Sequence, residues 1–182
     1  MAFYVALLHS ITIGNDRRLV MADWRAMMEA IGLKRPQTLV ATGNAVFESE
    51  RATVRQLEKR LETAFEQSFG RHVDTIVKTT AHWRKLARSN PFPEQAERDP
   101  ARVAVRVMRK PLDEAAIDTL MPYATQGESL KIAQGHLWIH FEHDPARSRL
   151  LSQLTTKRLG AGTMRNWNTV RRLSEMIQQE FG

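Results

Sequence analysis

The chain has 182 residues, 42% of them hydrophobic, which is enough for a buried core and too apolar for global disorder. It has no cysteine, which excludes disulfides, thiolate zinc sites and cysteine nucleophiles. A net charge of +7 points to acidic partners, and no apolar run approaches the roughly 20 residues that span a bilayer.

Phe3 to His9 is a continuous apolar run, as in a strand covered on both faces, here partly by the second half of the chain. Met1 to Leu8 lacks a basic n-region and a cleavage site, so it reads as a strand and not a signal peptide. A long loop, Ser10 to Val20, carries Gly14-Asn15 and Arg17-Arg18. Met21 to Ile31 reads as a helix, with Trp24, Met27, Met28 and Ile31 on one face and Gly32 behind it. Thr38–Thr42 and Ala45–Glu48 read as strands joined by a Gly43-Asn44 turn. Thr53 and Gln56 form a capping box for a helix that Gly70 ends, and Val73–Lys78 is a fourth strand. This is the βαββαβ order of a ferredoxin-like half.

A connecting helix, Ala81–Ser89, is expected to be capped by Thr80. Asn90-Pro91-Phe92-Pro93 and the polar stretch to Pro100 read as a linker. The order then repeats. Val103–Met108 is a strand, Asp113 caps a helix to Met121, and Ser129–Ile132 with His136–Phe141 make a hairpin. Asp144-Pro145 starts a helix that runs to Gly160, Thr163–Arg165 is a short strand, and Asn168 caps a terminal helix. The fold class is therefore α+β. It has tandem βαββαβ halves at 1–79 and 102–182, joined by a connecting segment at 80–101, with a C-terminal helix and one cooperative unit in all.

Four segments, in order along nearly the whole chain, carry a family resemblance: Leu7 to Gly14 followed by Met21-Ala22; Thr42 to Phe47; Asn90 to Pro93; and Arg165 to Val170. Together they resemble the domain of unknown function 1697 family of small bacterial proteins. The family's usual Arg-Gly-Ile-Asn is His9-Ser10-Ile11-Thr12 here. The resemblance implies the tandem ferredoxin-like fold and supplies no reaction.

Each cluster of chemistry-bearing residues has a structural reading beside its functional one. His136 and His140 share a strand face about 13 Å apart, too far to share one zinc ion, so no metal site and no cofactor is expected. Trp138 lies on that face, where a base could stack, or packs against the other half of the chain or a dimer mate; Ala104, Arg106 and Met108 are expected outward. Asn166-Trp167-Asn168 reads as a helix start that also attracts anions, with Arg165 and Arg171 alongside. From Arg147 to Gly182, seven basic residues stand against Glu175 and Glu180, so most of the charge surplus sits there. His9, Asn15, Arg17, Thr42 and Asn44 are the ligand-binding candidates of the first half. No nucleophile elbow, phosphate loop, dinucleotide fingerprint or paired-carboxylate motif is present.

The first functional expectation is a cytoplasmic, non-enzymatic binder of an anionic ligand: nucleic acid, nucleotide or phosphorylated metabolite. Two alternatives stay open. One is an enzyme with His9 as general acid or base, in which His9, Asn15, Asn44 and Asn168 converge in a cleft. The other is a homodimeric assembly module. No membrane partner is expected.

Overall fold

Unbroken burial from Tyr4 to Leu8, on both faces of the first strand, sets up the first sheet. Strand β1 (Ala2–Leu8) turns Tyr4, Ala6 and Leu8 into a core with Trp24, Met28, Phe47, Leu57, Leu61 and Phe65. Its other face is equally dry: Val5 and Leu7, with Val46 and Ile76, have no exposed surface. The computed structural model describes residues 1–39 and 42–182.

β1 pairs antiparallel with β3 (Asn44–Ser49) on one side and β4 (Thr75–Thr79) on the other, and β2 (Lys34–Leu39) pairs with β3. The order is β2-β3-β1-β4. Two helices, α1 (Met21–Ala30) and α2 (Val54–Phe69), supply the apolar layer over one face. The capping box at the start of α2 is formed as the sequence indicates: the Thr53 hydroxyl accepts from the Gln56 amide, and the Gln56 side chain accepts from the Thr53 amide. Gly70 ends α2 at φ 74°, a left-handed conformation that favours glycine. Glu58 and Glu62, one helical turn apart, accept from the amides of Val77 and Thr75 on edge strand β4.

Two local expectations need correction here. The Ser10–Val20 segment is a small hairpin: Ile13 N donates to Arg17 O, Arg17 N to Gly14 O, and Thr12 bridges Arg18. Asn15 (φ 46°) and Asp16 (φ 56°) take its two left-handed turn positions, which Asn and Asp tolerate. The second concerns the turn before β3, where Gly43 alone takes positive φ (76°) and Asn44 is already the first residue of the strand, opposite Leu7 and Leu39. Val40 and Ala41, in the expected strand Thr38–Thr42, lie outside the described residues.

The second sheet has the same order, β6-β7-β5-β8. Its strands are β5 (Val103–Met108), β6 (Ser129–Ala133), β7 (His136–His140) and β8 (Gly162–Asn166), all antiparallel neighbours. Ala104, Met108, Leu137, Ile139 and Phe141 form a core with Leu120, Leu150 and Leu154. Ala104, Arg106 and Met108 therefore face inward. Arg106 is tolerated there because its guanidinium donates to the carbonyls of Leu154 and Gly160, both at 3.0 Å. The opposite face is also buried: Val103, Val105, Val107 and Trp138 have no exposed surface, and His136 is buried, accepting from Met108 N at Nδ1. The solvated strand face expected for His136 and Trp138 is thus a packed one.

The chain between the sheets has more structure than a linker. Helix α3 (Thr80–Arg88) takes its cap from Thr79, whose hydroxyl accepts from His82 N, and not from Thr80. Pro93 then opens α4 (Pro93–Arg98), which buries Phe92 and Ala96 at i, i+4 spacing, and a 3₁₀ turn at Pro100–Arg102 follows. In the second half, Asp113 Oδ1 accepts from Ala115 N at the start of α5 (Ala115–Leu120).

The helix expected from Asp144 to Gly160 is divided into 3₁₀ turns at Pro145–Arg147 and Leu151–Gln153 and a short α6 (Thr156–Leu159). The reason is tertiary. The Ser148 hydroxyl donates to the Glu128 carboxylate, and the Gln126 side-chain Nε2 donates to the Arg147 carbonyl that a continuing helix would need.

The terminal helix α7 spans Trp167–Phe181. The chain divides into two compact units, Met1–Trp83 with Leu173–Gly182, and Arg84–Arg172. Within the first unit the end of α7 is held by ring contact between Phe3 and Phe181 (4.7 Å), by Arg35 over Phe181, and by Gln37 donating to Glu180. The Trp83 indole N–H donates to Ser174 in the same unit. Among the described residues no helix is long and apolar enough to cross a membrane.

Candidate functional site

The candidates of the first unit lie at the end of the sheet where β1 meets the turn before β3. His9 follows β1, is exposed, and donates its amide to Asp74 O. Leu8 N donates to Gly43 O at 2.8 Å, and a Cβ built on Gly43 would stand 2.8 Å from Leu8 Cβ and 3.1 Å from Ile11 Cγ2. Only glycine fits there, both for space and for φ. Thr42 is exposed, and its hydroxyl accepts from Asn44 Nδ2 at 2.6 Å. Asn44 has no exposed surface; its amide also donates to Leu39 O. Asn15 and Arg17 stand exposed at the hairpin tip. The enzyme reading has His9, Asn15, Asn44 and Asn168 converge in a cleft; Asn44 is buried in the sheet, whereas His9 and Asn15 are exposed.

The candidates of the second unit cluster at the end of β8 and the start of α7. Arg165 is buried on β8, where its guanidinium donates to Thr163 Oγ1 and Met164 O, both at 2.7 Å. Burial lowers its pKa to about 10, so it stays protonated at neutral pH. The helix cap is Asn166: its Oδ1 accepts from Thr169 N at 3.1 Å. Asn168, expected in that role, sits inside the first turn of α7, with its Oδ1 3.4 Å from Arg171 Nη2. Trp167 is half-buried with its ring 6.0 Å from Trp138, so Trp138 is paired inside the unit and offers no open stacking face. Arg171 is exposed.

One group of potential metal ligands comes together among the described residues. Donor atoms of Glu62, His72 and Asp74 lie within 4.8 Å of one another. Hydrogen bonds account for them: His72 Nε2 meets Asp74 Oδ1 at 3.0 Å, and Glu62 accepts from Thr75 N.

Sequence reasoning missed a polar cleft of about 380 Å³ in the second unit. The segment read as a linker supplies Gln95, Arg98 and Asp99 to one wall, which Arg102 just after it completes; the ends of β6 and β7 supply Ser129, His140 and Glu142. The packing that shapes it starts from Phe92, whose buried ring lies 6.0 Å from the His140 ring and 5.3 Å below Lys131 Nζ. Asp99 Oδ1 accepts from Ala101 N to start the 3₁₀ turn, and its Oδ2 lies 3.3 Å from Arg102 Nε. Arg102 Nη1 donates to the Glu142 carbonyl at 2.8 Å. The available signal in the sequence was Phe92 and Ala96 at helical spacing around Pro93, in a stretch whose prolines argue for a loop.

The chain shares its fold with a solved structure, a conserved bacterial protein, SP0830, from Streptococcus pneumoniae. The TM-score is 0.74 at 24% identity, over 98% of this chain and 99% of that one. No curated protein matches the chain. The family described as "Protein of unknown function (DUF1697)" matches residues 1–138, a span that holds three of the four resemblance segments and leaves Arg165 to Val170 beyond it. The chain therefore belongs to the DUF1697 family, whose name assigns it no activity.

Proposed function

We propose that the second unit is a non-enzymatic binder of an anionic ligand: a nucleic acid, a nucleotide or a phosphorylated metabolite. The observation that supports this reading is how charge divides between the units. Arg84–Arg172 holds sixteen Lys and Arg against nine Asp and Glu, a net +7 and so the whole surplus of the chain. The first unit holds eleven of each and is neutral. Arg106 and Arg165 are buried and hydrogen-bonded, but Arg98, Arg147, Arg149, Lys157, Arg158, Arg171 and Arg172 are exposed, and a net positive charge attracts and steers anions.

The architecture belongs to the same proposal. We read each unit's sheet as a ferredoxin-like half, on the strength of the shared strand order, and place the protein in the cytoplasm, in keeping with its lack of cysteine.

Charge-neutralising variants test the reading. Arg98→Gln, Arg171→Gln and Arg172→Gln together should weaken binding of nucleotides or oligonucleotides by about tenfold or more, with the exposed pair Arg51→Gln and Lys59→Gln in the first unit leaving it unchanged. Equal losses from the two sets would contradict it.

A further inference from the structure

We infer that the cleft between α4 and the ends of β6 and β7 seats a small phosphomonoester, of mononucleotide or sugar-phosphate size. The inference rests on the anion-binding reading and deepens it by naming a seat and a ligand class. A concave space of about 380 Å³ is of a size that seats a small molecule.

The lining divides into groups already committed and groups left to meet a ligand. Asp99 is committed: one oxygen takes Ala101 N and the other faces Arg102. Arg102 is oriented by that pair and by the Glu142 carbonyl, which fixes the plane of its guanidinium before any ligand arrives. Arg98 is exposed on the same wall, and its guanidinium has no ion pair or hydrogen bond among the described residues. Across the cleft, His140 and Ser129 are cross-strand neighbours and present an imidazole and a hydroxyl side by side. Lys131, held over Phe92 near His140, adds a further cation at this end.

Two guanidiniums, an imidazole and a hydroxyl are the donors that a phosphate group takes. The Glu142 carboxylate also borders the cleft. It is an acceptor, and it gives the site its selectivity: it repels a second phosphate and takes a hydroxyl or amino hydrogen from the rest of the ligand. One phosphate joined to a hydroxyl-bearing sugar meets both requirements, whereas inorganic phosphate meets only the first.

Isothermal titration of the full chain with AMP, ribose 5-phosphate, inorganic phosphate and a single-stranded oligonucleotide tests this. At least one of the two organic phosphomonoesters should bind more tightly than inorganic phosphate. Arg98→Ala should weaken that binding by about tenfold or more, and His140→Ala should weaken it too, while Lys110→Ala, at an exposed cation of the same unit outside the cleft lining, leaves it unchanged. Arg98 is exposed, so its variant should keep the wild-type circular dichroism. Phosphomonoester binding insensitive to Arg98→Ala and His140→Ala, or binding of the oligonucleotide alone, would overturn the seat and leave the anion-binding reading standing. No binding of any of the four would overturn both.

Discussion

Single residues decide where the segments of this chain begin and end. Asn166-Trp167-Asn168 offers two cap residues two positions apart, and composition cannot choose between them. The backbone chooses Asn166, whose side-chain Oδ1 accepts from the Thr169 amide, while Asn168 lies inside the first turn. Asn166→Ala should therefore cost about 1 kcal/mol of stability in urea denaturation, and Asn168→Ala only a few tenths. The reverse ranking would return the cap to Asn168. Thr53 and Gln56 were legible because both halves of their capping box lie within four residues. Asn44 was misplaced as a turn residue because Gly43 before it gives a strong turn signal, and only the register shows that the strand has already begun.

At the scale of elements, α2 and the strands β5, β6 and β7 read true, while α4 and the helix expected from Asp144 to Gly160 did not. Helix α2 and strand β5 were legible because their apolar patterns are sustained. Helix α4 has six residues and three prolines around it, so its pattern is too short to outweigh them. The break after Arg147 depends on Gln126 and Glu128, some twenty residues away, which no local pattern reports. The polar cleft was hidden for the same reason, since its walls come from three separate stretches of chain.

Edge strand β4 shows how an element is protected as well as formed. The outward amides of Thr75 and Val77 are taken by Glu62 and Glu58 of α2, which denies them to a foreign strand. Glu58 is almost fully buried, and it opposes the downward push that burial exerts on the pKa of Lys78 in the same strand. Glu58→Ala leaves the Val77 amide without this acceptor and should lower stability by about 2 kcal/mol. Glu58→Gln keeps an acceptor oxygen and should cost less. Thermal melts of the two variants check the order, and equal losses would mean that the Val77 bond contributes nothing.

At the scale of the whole molecule, the division into units runs through helices. The boundary after Trp83 lies inside α3, and the boundary after Arg172 lies inside α7. Separate unfolding would have to break two continuous helices mid-length, so the chain should melt in one calorimetric transition with equal calorimetric and van't Hoff enthalpies. Two resolved transitions would refute this.

Charge is the other property that belongs to the whole molecule. A neutral unit joined to one carrying +7 is the basis for the anion-binding reading. The sequence already pointed to the C-terminal stretch, and the unit boundaries sharpen this by gathering Arg84 to Arg172 into one body. The most direct test is a tryptophan-fluorescence titration of the intact protein with AMP and with a single-stranded oligonucleotide, at low and at physiological salt. Trp167 is half-buried beside Trp138 in the charged unit and gives the signal. The account predicts a saturable change with at least one of these ligands, and an affinity that falls as salt is raised. No change with either, or binding that salt leaves untouched, would contradict it.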